Sequence, residues 1–113
     1  MSALTVGEQG PTITALAQLL ADFPHLPAAH IEIGRILTRD GYALGVGIML
    51  HHATGGTLAD FEAWRQSLAI APEAVGMRPA AADQVIEAHG RYAGVAVHVR
   101  CFTRLAVPLA VAA

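Results

Sequence analysis

Six histidines, one cysteine and nine carboxylates are the side chains here equipped for proton transfer, nucleophilic attack or metal ligation. His51 and His52 are adjacent. On a strand, neighbouring side chains point to opposite faces, so the two are not expected to share one ion. No His-x-His, no helical His-x-x-x-His and no paired cysteines occur, so the common zinc spacings are missing. His51 and His98 are expected on the same face of two alternating strands and approach each other if those strands pair. That is the route to a small metal-binding or acid-base enzyme. Cys101 falls among Val95, Val97 and Val99 on an apolar strand side, where a thiol behaves as a small hydrophobe. His52 occupies the corresponding place in the first half, which leaves a Cys-His pair open. Ser2 and Ser67 lack a strained turn around them, and the strand carboxylates Glu32 and Glu87 are each expected to face solvent. The amides of Ala53-Thr54-Gly55-Gly56-Thr57 precede a helix and could hold an anion. The segment has no lysine, and ordinary capping accounts for it. The expectation is therefore no metal and no cofactor.

These side chains must be positioned by a single small domain, because 113 residues leave no room for two independent cores. The apolar fraction is 54%, but 23 of those residues are alanines, which carry little burial energy each. No run approaches the roughly 18 apolar residues of a spanning helix, so no membrane association is expected. All seven basic residues are arginine and the net charge is −2, without the basic surplus that neutralises nucleic-acid phosphates. The unpaired Cys101 and the absence of a basic-then-apolar leader point to a reducing, cytoplasmic setting.

Residues 1–11 read as a flexible lead-in. Thr12 or Thr14 caps a helix whose apolar side is Leu16, Leu19, Leu20 and Phe23, and Pro24 ends it. Ile31, Ile33, Ile36 and Leu37 lead to a tight turn at Asp40-Gly41. Leu44, Val46, Ile48 and Leu50 then alternate with Gly45, Gly47, Met49 and His51, the period of a half-buried strand. Thr57 and Asp60 form a capping box for a second helix, with Leu58, Phe61, Trp64 and Leu68 inward and Glu62, Arg65 and Gln66 outward. Residues 73–82 are ambiguous between an edge strand and a loop. A strand from Asp83 runs to a turn at His89-Gly90-Arg91, and a final strand alternates from Val95 to Cys101. The apolar tail 105–113 is interrupted by Pro108.

The resulting expectation is an α+β two-layer sandwich in the order α-β-β-α-β-β. A four-stranded, mainly antiparallel sheet carries two helices on one face, all within residues 12–104. Sliding the chain by 49 positions sets Gly41 on Gly90, Gly45 on Gly94 and Val46 on Val95, a possible pseudo-repeat of 12–52 and 57–104. Leu16, Leu20, Phe23, Phe61, Trp64 and Leu68 are expected to pack on Leu44, Val46, Ile48, Val95 and Val97. Each buried Leu or Phe contributes roughly 1.5–3 kcal/mol. One misfit remains: a turn at Asp40-Gly41 sets Arg35 opposite Val46, which a bulge at Gly34 repairs.

The reverse face then carries Gly45, Gly47, Met49, His51, Ala96, His98 and Arg100 as a candidate interaction surface. The leading expectation is a non-enzymatic interaction or regulatory protein acting as a homodimer through that face, or meeting another protein there. One alternative is a nucleic-acid accessory protein using Arg91, Arg100 and Arg104 with Tyr92 and Phe102. The other is the histidine-based metal or acid-base site.

Overall fold

A computed structural model describes residues 4–104, so the apolar tail 105–113 lies outside the described residues. Two helices and five strands follow in the order α1 (Gly10–Asp22), β1 (His30–Thr38), β2 (Gly41–His51), α2 (Leu58–Ser67), β3 (Gly76–Ala80), β4 (Asp83–Tyr92) and β5 (Val95–Arg104). The architecture is α+β, with one mixed sheet in the order β1-β2-β5-β4-β3. The expected four strands are thus five, because the ambiguous segment pairs as an edge strand along β4. The sheet is mainly antiparallel as expected, with one exception. β2 and β5 run parallel at its centre, from Gly45 beside Ala96 to His51 beside Phe102. A parallel pair needs a long crossover, and here α2, β3 and β4 all lie between the two strands.

Both helices contribute to one core on one sheet face. Leu19 of α1, Phe61 and Trp64 of α2, and Leu68 just past the end of α2 join Val46, Ile48, Leu50, Ile86, Ala88, Val97, Val99 and Cys101. α2 starts as expected: Thr57 accepts the Asp60 amide and Asp60 accepts the Thr57 amide. Trp64 Nε1 donates to the Pro27 carbonyl at 3.0 Å, tying the loop after α1 to α2.

Several expectations need correction. α1 begins at Gly10 with Pro11 in its first turn, preceded by a 3-10 turn over Gly7–Gln9, so part of the supposed lead-in is structured. The inward face of α1 is Thr12, Ala15 and Leu19, while Leu20 is exposed. Leu58 is exposed too, whereas Arg65 is buried: its guanidinium bends back onto the Ile70 carbonyl at 2.6 Å and pairs with Glu62. The first hairpin turns at Arg39-Asp40, with Thr38 opposite Gly41, which shifts the expected pairing by two residues. Ile33 therefore meets Val46, Arg35 meets Leu44 in an exposed position, and the ladder is regular through Gly34, with no bulge. The last hairpin turns at Ala93-Gly94, both with positive φ (50° and 78°), rather than at His89-Gly90-Arg91. Gly90 lies inside β4 opposite Val97, so it is not the structural counterpart of Gly41.

Gly45 is fixed by the central parallel pair. A Cβ there would lie 2.4 Å from the Ala96 carbonyl oxygen and 2.8 Å from Ile36 Cδ1. Backbone cannot step aside as a side-chain tip can, and overpacking of this kind costs about 1–3 kcal/mol. Gly45→Ala is expected to lower stability in urea by about that amount. Gly34→Ala, whose Cβ meets nothing within 4 Å, is expected to be neutral or slightly stabilising.

Candidate functional site

Strand parity decides which side chains share the face away from the helices. Val46, Ile48, Val97 and Val99 belong to the core, so their neighbours in sequence point the other way. Gly45, Gly47, Met49 and His51 of β2 therefore lie on one face with Ala96, His98 and Arg100 of β5, and the parallel register sets Gly47 beside His98 and Met49 beside Arg100. All seven expected surface residues are brought together there. Among the described residues, no helix core packs against this side.

The centre of that face is nevertheless not open. Glu32 of β1 lies across Gly47, where an added Cβ would come within 2.9 Å of its Cγ. Reaching past the bare glycine, the Glu32 carboxylate accepts from Arg100 Nη2 at 3.2 Å. Ile36, also on this side, folds over Gly45 and is itself buried. Ala96 and His98 are buried by the same carpet of long side chains. The side chains that cover the two glycines, Glu32 and Ile36, come from β1, whose register with β2 determines where they fall.

On β4 and β5 the polar row continues. His98 Nε2 donates to Glu87 Oε1 at 2.8 Å, and Arg78 Nε of β3 donates to Glu87 Oε2 at 2.7 Å. His89 stacks on His98 with ring centroids 4.2 Å apart and planes 16° from parallel. Burial pushes the His98 imidazole below its usual range; the Glu87 hydrogen bond opposes this, and nearby His89 and Arg100 reinforce it. Burial alone would raise the Glu87 carboxyl, but the hydrogen bonds from Arg78 and His98 outweigh it and hold the group below the usual range. Two polar atoms here are buried without a partner, His89 Nδ1 and Arg100 Nε. Glu87, His89 and His98 offer ligand atoms within 4.8 Å of one another, but His98 is buried. Arg78 already neutralises the carboxylate. This cluster suits an internally paired polar layer better than a cation.

At the end of β2 the histidines behave differently from the strand rule. The strand stops at His51 and a 3-10 turn begins at His52, so the two rings stack at 4.6 Å instead of pointing apart. Both Nε2 atoms reach Asp83 at the start of β4, at 3.4 Å from His51 and 2.9 Å from His52. His51 also stacks on Phe102 at 5.5 Å. His51 and His98 are therefore in different clusters, each with its own carboxylate. Adjacent histidines followed by a Gly-rich break carry a hint of this arrangement, but Asp83 is far away in sequence.

The remaining candidates separate. Cys101 is fully buried, with its thiol toward the Thr57 carbonyl at 3.7 Å, and burial pushes its pKa up, away from nucleophilic thiolate. His52 is turned to Asp83, not to the thiol. Arg91 bonds the Gly94 carbonyl in its own hairpin and Arg100 bonds Glu32, while Tyr92 is on the helix side against Phe23. The arginine-aromatic cluster does not form one continuous platform. Comparison with protein-family models, with curated proteins and with solved structures gives no match.

Both shifts in the paired layer couple folding to pH with the same sign. The unfolded His98 takes a proton near its ordinary pKa of about 6.5, before the folded one does, so stability is full above that pH and declines as the pH falls. The depressed Glu87 adds a further loss below the ordinary carboxylate range. Thermal unfolding followed by circular dichroism is expected to show a falling midpoint from neutral pH toward pH about 5. His98→Gln should flatten that upper part of the profile and leave the acid part.

Proposed function

We propose that this protein is a non-enzymatic interaction module that works as a homodimer, with two copies joined edge to edge through β1. The observation that carries the reading is the asymmetry between the two sheet edges. β3 is five residues long and contains Pro79, which removes a backbone donor and blunts the edge. β1 is nine residues long, has no proline and no bulge, and is rich in Ile31, Ile33, Ile36 and Leu37. Every second residue of β1 turns its N–H and C=O away from β2; its charges are Glu32, which turns to Arg100, and Arg35, and an edge of this length without proline or bulge is a template for another strand.

A second copy is the occupant that symmetry supplies most simply. Gly34 is the middle residue of β1, and antiparallel self-pairing about it uses all nine residues while keeping each side chain on its own face. Ile31 then stands beside Leu37 of the second copy. Leu37 and its cross-strand neighbour Tyr42 are 48% and 75% exposed in the single chain, and a dimer of this kind gives them cover. The charged layer on the adjoining face is already paired within the chain, as Glu32 with Arg100 and Glu87 with Arg78, so it can flank a contact without leaving a lone charge desolvated. For the enzymatic alternative, the potential nucleophile is buried and two of the carboxylates, Glu87 and Asp83, are occupied by hydrogen bonds.

Light scattering after gel filtration tests the reading. The expected mass at tens of micromolar is twice the 11.8 kDa of the chain. Lysine guards edge strands, so Leu37→Lys and Ile33→Lys should each shift the dimer toward monomer by at least about tenfold in dissociation constant, or about 1.4 kcal/mol. A wild-type protein that stays monomeric throughout that range rules the homodimer out.

A further inference from the structure

We infer that His51, His52 and Asp83 form a binding site for a late first-row divalent metal ion of the zinc or cobalt type. One ligand atom from each of the three side chains, a ring nitrogen of each histidine and a carboxylate oxygen, lies within 4.8 Å of the other two. His51 Nε2 lies 3.4 Å from Asp83 Oδ2 and His52 Nε2 lies 2.9 Å from Asp83 Oδ1, so both imidazoles converge on one carboxylate, each at its own oxygen and near the ~3.3 Å that separates ligand atoms around a tetrahedral ion with bonds of about 2.0–2.1 Å. Rotation of the carboxylate and of the stacked rings brings the three donors onto one ion. Two imidazoles and one carboxylate match the preference of zinc and cobalt, whereas calcium and magnesium select oxygen-only shells.

The surroundings favour this cluster over the one around Glu87. Among the described residues, the ion-pair partners of Asp83 are the two histidines. Glu87, by contrast, is clamped by Arg78. The three side chains are only partly covered, at 36%, 26% and 22% exposure, so an ion can enter and water can complete its shell. Phe102 and the His52 ring sandwich His51 and hold its plane. Thr54 Oγ1 and the Gly56 amide both donate to the His51 carbonyl at 3.0 Å, which pins the turn that presents His52.

Hydrogen bonds must be exchanged at both rings: the His52 Nε2–Asp83 Oδ1 bond at 2.9 Å gives way to the ion, with the His52 ring proton passing to Nδ1. His51 Nδ1 accepts from the Ala53 amide at 3.0 Å, which leaves the ring proton on Nε2, facing Asp83. An ion at Nε2 displaces that proton to Nδ1, and the Ala53 amide passes to water at its exposed position. Once bound, the ion clips the end of β2 to the start of β4 across β5, a link that the apo chain makes through imidazole–carboxylate hydrogen bonds alone. The inference stands apart from the oligomer reading, since β1 contributes no ligand.

The full chain, prepared without a histidine tag and stripped with chelator, should take up one zinc ion per chain in calorimetric titration. Asp83→Asn and His52→Asn should each weaken binding at least tenfold, while His25→Asn, whose side chain is exposed elsewhere, should leave it unchanged. Imidazole nitrogen NMR of the wild type reads the site without any substitution. At one equivalent of zinc, the His51 and His52 signals should move together. Failure to bind, binding indifferent to Asp83→Asn, or shifts confined to other histidines would each overturn the site.

Discussion

The parallel pairing of β2 with β5 is the constraint on which the other features depend. It places the two most apolar strands side by side at the middle of the sheet, where Val46, Ile48, Val97 and Val99 meet Leu19, Phe61 and Trp64. It also sends β3 and β4 to the far side of β5, leaving β1 and β3 as the two edges. The close approach at Gly45 is the local cost of that arrangement. The free face, the two histidine clusters and the unequal edges all follow from this order.

Polar groups on the reverse face obey a simple economy. A sheet face without helices must either stay wet or supply its own cover, since buried charge without a partner is expensive. Here the cover consists of Glu32, Arg100, Glu87 and Arg78, each carboxylate meeting a guanidinium, with His98 and His89 stacked between them. Gly47 is small because Glu32 must cross it. A surface glycine on a strand can thus mark the path of another strand's side chain and need not mark a vacant docking surface.

Much of the fold was legible from local pattern, and the limits have physical causes. Alternation along 44–50 and 95–101 assigned the core side of both central strands, because a half-buried strand has period two whatever its neighbour. The Thr57–Asp60 capping box was readable for the same reason: it is made within four residues. Strand order and direction are non-local, so the parallel pair was not readable, and residues 73–82 stayed open between edge strand and loop because five residues of strand carry too little alternation to decide. The adjacent histidines were assigned to opposite faces by a rule that holds only while the strand continues, and the strand ends between them. Asp83, which gathers them, sits at the start of β4, and no spacing in the chain foretells that it lies across β5. The seven surface residues were correctly placed on one side, but the side chains that cover them belong to β1, whose register moved by two when the turn formed at Arg39-Asp40.

The functional account rests on β1 being an edge in the single chain and an interior strand in the assembly. Amide hydrogen exchange measured across protein concentration reads this directly, because backbone groups paired between copies are protected only when the copies are together. The account predicts that alternate amides of residues 30–38 exchange slowly at high concentration and quickly on dilution, while those of β2 and β5 stay protected throughout. Fast exchange of the same β1 amides at every concentration would contradict it.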